Sequence, residues 1–207
     1  MINIPTLFER DEKGSLDPHK VHPNAQWVLS EQLARATQMY DGIVYRFLRN
    51  NFSKRFIRTR NCETPLGYRP SQSSANEDGS YPGWVPIPPD EPILKEARNN
   101  SNPTQEGTYE LCGPTINNNP EGLKNHQFFK HGDKILPDFP RYKDPIRRTP
   151  RDVAIANKVF YDQIEEYLKT RNIEGVVFYH TNTTKIAKIK KKDFGLPRVP
   201  DAVVSKA

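Results

Sequence analysis

Proline is the residue that most constrains how this chain can fold. Nineteen of its 207 positions are proline, and proline fixes φ, lacks an N–H and is excluded from helix interiors and central strands. Short strands, polar turns and one well-marked helix are what such a chain can build. The clearest helix start is Thr149-Pro150-Arg151-Asp152, with a threonine cap, proline at the first helical position and a carboxylate three residues after the cap. Val153, Ala156, Val159, Phe160, Ile164, Tyr167 and Leu168 follow at helical spacing, which predicts an amphipathic scaffold helix.

The strands are read from alternation and turn residues. Ile43 to Phe47 and Arg55 to Thr59 alternate and are joined through Arg49-Asn50-Asn51, a hairpin signal. Arg46, Arg49, Lys54, Arg55, Arg58 and Arg60 are interleaved there with Tyr45, Phe47, Phe52 and Phe56, a pattern expected to put basic groups on one pleated face and aromatics beneath. Gly107 to Pro114 is a strand that runs into a turn, His126 to Lys130 is another short strand, and Ile173 to His180 and Lys185 to Lys190 form a second hairpin through Thr181-Asn182-Thr183-Thr184. Residues 1 to 24 read as a surface arm, Ser30 to Thr37 as one or two helical turns, and Pro65 to Asn102 as a rigid, loop-like excursion with a short helical turn at Leu94 to Arg98. The expected fold is α+β, with antiparallel sheets flanked by helices in a single domain over residues 1–207.

Charge and cysteine content narrow the partners. Thirty-one Lys and Arg against 25 Asp and Glu leave a formal charge of +6, which favours a polyanion. Cys62 and Cys112 lack zinc-ligand spacing and cannot form a disulfide framework. No apolar run approaches membrane-spanning length and no leader pattern opens the chain, so an intracellular protein, cytoplasmic or nuclear, without a membrane partner is expected.

Between the first polar stretch and the first hairpin lies Gln38-Met39-Tyr40-Asp41-Gly42. Glycine lets backbone approach a ligand closely and Asp fixes the turn, while Met39 is an apolar residue in what reads as a polar loop. Downstream come Glu110, a carboxylate in an apolar strand that must be paired or ligand-bound, then Glu174-Gly175-Val176-Val177, then Lys188-Ile189-Lys190 with both lysines on one strand face. In this order these elements resemble the covalent nucleotidyltransferases, whose first motif reads Lys-x-Asp-Gly. Pro82-Gly83-Trp84-Val85-Pro86, Glu110 to Pro120, His131-Gly132 and Phe194-Gly195-Leu196 are similar to motifs of the single-domain ATP-dependent RNA ligases of vertebrates and some large viruses.

The resemblance implies a nucleotidyltransferase domain, ATP-grasp-like and without a C-terminal oligonucleotide-binding barrel, spanning about residues 25 to 197. It implies a monomer that uses ATP with Mg2+ or Mn2+ and joins RNA 5'-phosphate and 3'-hydroxyl ends, in RNA repair, through lysyl-AMP and RNA-adenylate intermediates. Met39 stands at the nucleophilic lysine, so the first step is expected to be blocked. The retained Asp41, Gly42, Glu110, Glu174, Lys188 and Lys190 fit an engineered substitution of similar length and no charge. Lys188 and Lys190 would stabilise phosphate charge. Glu174, with Glu110, would serve the metal, and Gln38, Asp41, Gly42, Arg58, Arg60 and either His126 or Phe128, as an adenine-stacking group, would complete the ATP site. The alternatives are a catalytically silent nucleotide- or RNA-binding relative and, further off, a DNA ligase or capping-type enzyme.

Overall fold

A computed structural model describes residues 4–30, 32–76 and 78–198. Met1-Ile2-Asn3 of the expected arm, and the tail from residue 199, lie outside the described residues. In chain order the elements are β1 Phe8–Arg10, β2 Leu16–Val21, β3 Ala34–Met39, β4 Ile43–Leu48, β5 Asn51–Arg58, β6 Arg69–Pro70, β7 Tyr81–Pro86, α1 Pro92–Ser101, β8 Gly107–Cys112, β9 Gln127–Lys130, α2 Pro150–Lys169, β10 Gly175–His180 and β11 Ile186–Lys190. The fold is mixed α and β with antiparallel sheets. The chain divides into two compact units, one formed by Ile4–Tyr40 with Gly132–Ala207 and the other chiefly by Asp41–His131.

In the first unit β3, β10 and β11 make an antiparallel sheet with β10 central. Val176, Phe178, Ala187 and Ile189 alternate onto one face, are fully or almost fully buried, and share a core with Phe160, Ile164 and Leu168 of α2. Thr149 caps α2 by accepting from the Asp152 N–H at 3.2 Å, as the Thr-Pro-Arg-Asp signature predicts. Neither sheet edge is bare: Leu7 N donates to Lys188 O and Lys188 N to Pro5 O on one side, and Gln38 N to Lys134 O and Leu136 N to Ala36 O on the other. Covering both edges removes unpaired N–H and C=O groups that would template aggregation.

Two expectations are corrected here. The described part of the first 24 residues is not a surface arm, because β1 and β2 pair as a hairpin and Leu7, Phe8, Leu16 and Val21 enter the core. The stretch before Asp41 is not helical from residue 34 onward: β3 pairs with β10 from Ala34↔His180 to Met39↔Gly175. Met39 therefore ends a strand rather than sitting in a loop.

In the second unit six antiparallel strands run in the order β6-β7-β5-β4-β8-β9. Tyr45, Phe47, Phe52, Tyr109, Leu111 and Phe128 lie on one face and bury against Leu94 and Ala97 of α1. The β4–β5 hairpin turns through Arg49 and Asn50 at φ 50° and 61°. Two consecutive left-handed residues match the twist that two-residue hairpins require. The expected loop over 65–102 contains β7, a strand between β5 and β6, and a ten-residue α1 capped by Glu91.

Candidate functional site

The sheet of the first unit sorts the candidate residues by face. With Val176, Phe178, Ala187 and Ile189 turned to the core, residues of opposite parity look the other way. Register places Met39, Gly175 and Lys190 in one cross-strand row, and Thr37, Val177 and Lys188 in the next. Strands about 4.8 Å apart put Met39 and Lys190 about 10 Å apart at the backbone. Gly175 lies between them, and a Cβ there would come within 2.3 Å of the Ile189 carbonyl oxygen, so the strands approach too closely for any other residue.

Glu174 precedes this row, and its Oε1 accepts from Lys190 Nζ at 2.9 Å. The strand end is fixed as well: Lys190 N donates to Asp193 Oδ2 at 2.8 Å, and Asp193 Oδ1 accepts from Arg10 at 2.6 Å. Asp193 and Arg10 are thus positioning residues for Lys190. Both escaped sequence reading, although Asp193 three residues after Lys190 matches a capping-box spacing. Lys191 continues the basic run in sequence but turns inward, only 3% exposed, and burial, with Arg198 nearby, pushes its ammonium below its ordinary pKa. Gln38 belongs to β3 but has the opposite parity from Met39, so it does not join this face.

In the second unit the Asp-Gly turn is held from several sides. Asp41 N donates to Glu121 Oε1 at 3.0 Å, Asn117 Nδ2 donates to Asp41 Oδ1 at 2.8 Å, and Gly42 N donates to Glu110 Oε1 at 3.1 Å. A Cβ on Gly42 would lie 2.3 Å from the Leu111 carbonyl oxygen. The other oxygen of Glu110 bonds His131 Nε2 at 2.7 Å, and His131 Nδ1 meets Thr108 Oγ1 at 2.9 Å. Glu110, 8% exposed, has its oxygens turned onto Gly42 and His131 rather than outward. Asn117 and His131 lie in motifs that carry the resemblance but were given no role there, and Glu121 was not singled out from sequence; the run Asn117-Asn118-Asn119 takes φ values of 47°, 61° and 54°, left-handed positions that Asn tolerates.

Four expected ATP contacts fall elsewhere in this unit. His126 is 6% exposed, with its ring nitrogens 2.8 Å from Glu96 Oε2 and 2.8 Å from Thr115 Oγ1. Phe128 is equally buried and stacks on Phe52 at 4.9 Å, so both rings are core residues that offer no free face to adenine. The basic residues of β4 and β5 do not share a face. Arg46 and Arg55 lie on the face of Glu110, whereas Lys54 and Arg58 alternate to the α1 side. Arg58 there covers Tyr81 at 4.6 Å, and Arg60 is exposed in the following turn.

Among the described residues no group of three or more His, Cys, Asp or Glu side chains is disposed to hold a metal, and no helix is long and apolar enough to cross a membrane. The chain matches no family model and no curated protein.

Proposed function

We propose that the chain is a nucleotidyltransferase-type RNA ligase arrested before its first chemical step. The observation that carries this reading is the row Met39-Gly175-Lys190, with Lys188 on the same face and Glu174 bonded to Lys190. A lysine at position 39 would share a cross-strand row with Lys190 and a face with Lys188, which puts its amine on the side where these two can meet phosphate charge. A thioether has no such amine, so the chain as written cannot take AMP from ATP onto position 39.

The later joining step makes no use of that amine. In it the 3'-hydroxyl oxygen of one RNA attacks the 5'-phosphorus of an adenylated RNA, the bond to the AMP phosphate breaks, AMP leaves and the hydroxyl proton passes to solvent. Lys188 and Lys190 neutralise charge on the phosphate oxygens, and the Arg10-Asp193-Lys190 chain of bonds holds one of them in place. Glu174 keeps its Oε2 beyond the Lys190 bond, and magnesium is commonly held by one or two carboxylates, water and substrate phosphates. When bound there, the ion would add charge neutralisation at the phosphate. In the other unit, the proposed role of Glu110 and His131 is to hold the Asp41-Gly42 turn.

The expected result is sealing of a 5'-adenylated RNA to a 3'-hydroxyl RNA, without ATP and with magnesium, lost in Lys190→Ala. Absence of sealing with ATP binding intact would favour the second reading, a silent nucleotide-binding relative, which Met39 itself supports.

A further inference from the structure

The face of the six-stranded sheet opposite α1 carries a feature that the joining chemistry leaves unused. Arg55 of β5 and Arg69 of β6 are both paired across from Trp84 of β7, and the Arg46 guanidinium of β4 reaches over the Trp84 ring at 4.7 Å. Cross-strand partners share a face, so three arginines share the face of one indole, and Arg69 is close enough to Arg46 to repel it. We propose that this face binds the phosphate backbone of a single RNA strand.

Among the described residues no ion pair joins these arginines, and Glu110, the carboxylate on the same face, is turned onto Gly42 and His131. The Nε atoms of Arg46 and Arg55 are buried without a partner. A buried donor without an acceptor is costly, and mutual repulsion adds to that cost, as the depressed pKa of Arg46, from burial first and then from Arg69, reflects. An anion with several acceptor oxygens relieves both. Guanidinium forks match phosphate oxygens in a bidentate manner, and their spread over β4, β5 and β6 suits successive phosphates rather than one compact ion. Trp84 is 5% exposed beneath Arg46, so it orients the guanidinium by a cation–π contact and is not a platform for bases. The site is accordingly indifferent to sequence, and the chain's +6 charge draws the strand to it. Only the choice of RNA as the strand rests on the ligase reading.

The test is fluorescence anisotropy of a labelled single-stranded RNA with the full chain, across a salt series, for the parent chain, Arg55→Gln, Arg69→Gln and the double variant. Arg69 is exposed on a short outer strand, so its replacement leaves the core intact, and urea unfolding verifies this for each variant. Each substitution is expected to weaken binding several-fold and to lower the slope of log affinity against log salt by about 0.7, the value for one phosphate contact on a single strand. Unchanged slope and affinity in folded variants would overturn the site. Competition by polyglutamate as effective as that by unlabelled RNA would also overturn it, in favour of an acidic protein partner. Intact sealing of adenylated RNA with no arginine effect would refute this site alone, whereas arginine-dependent RNA binding without sealing would refute the ligase reading alone.

Discussion

Gly175 separates the two side chains on which the proposed chemistry depends, and it is the residue whose replacement tests the sheet most locally. Because a Cβ would meet the Ile189 carbonyl oxygen at 2.3 Å, Gly175→Ala is expected to cost about 1–3 kcal/mol, the range for overpacking, read as a lower urea midpoint; an unchanged midpoint would contradict the register described. A second residue-scale prediction concerns pH. Hydrogen bonds from His126, ring first and then backbone, hold the Glu96 carboxyl below its ordinary value of 4.5. A depressed carboxyl stabilises the folded state fully above its unfolded pKa and loses that contribution as pH falls through the folded one. Acid unfolding below pH 4.5 should therefore be shallower in Glu96→Gln, and an identical acid limb would show that the His126–Glu96 bond does not stabilise the fold. At this scale the shared face of Lys188 and Lys190 was legible, because alternation alone sets it, whereas the inward turn of Lys191 was not, since it depends on how the chain leaves the strand. His126 and Phe128 were not legible as core residues: a ring's burial depends on partners such as Glu96 and Phe52 that are distant in sequence.

Among the elements, the hairpin β1–β2 departs most from what its sequence suggests. Its apolar residues Leu7, Phe8, Leu16 and Val21 are too sparse to show a period, and only pairing, together with the bonds of Pro5 and Leu7 to Lys188, brings them into the core. Phe8→Ala should cost about 3–5 kcal/mol, measured by chemical unfolding, and a change near zero would return this segment to the role of a dispensable arm. The same competition explains β3. Alanines 34 and 36 favour a helix, but the six-residue register with β10 overrides so weak a preference. By contrast, α2 was legible from cap to last turn, because its signals are all local. Thr149→Ala should cost about 1 kcal/mol, the usual loss of a side-chain cap, as a fall in thermal midpoint; no fall would mean that the Asp152 N–H finds another acceptor.

For the molecule as a whole, antiparallel sheets with few helices were legible from turn signals and alternation, whereas the division into two compact units was not. The chain passes between those units at Tyr40–Asp41 and at His131–Gly132, so the Met-x-Asp-Gly motif contributes its first residue to one unit and its last two to the other. That division gives the central claim its test, since position 39 must act with Lys188, Lys190 and Glu174 of its own sheet. The measurement is covalent labelling of Met39→Lys by ATP carrying a labelled α-phosphate, with magnesium, beside the parent chain, Met39→Ala and the double variant Met39→Lys with Lys190→Ala. Acid-labile, alkali-stable and denaturation-resistant label, as a phosphoramidate on a lysine amine requires, on Met39→Lys alone and reduced at least tenfold in the double variant, is the expected result. No label on folded Met39→Lys, or label of equal strength on the parent chain, would contradict it.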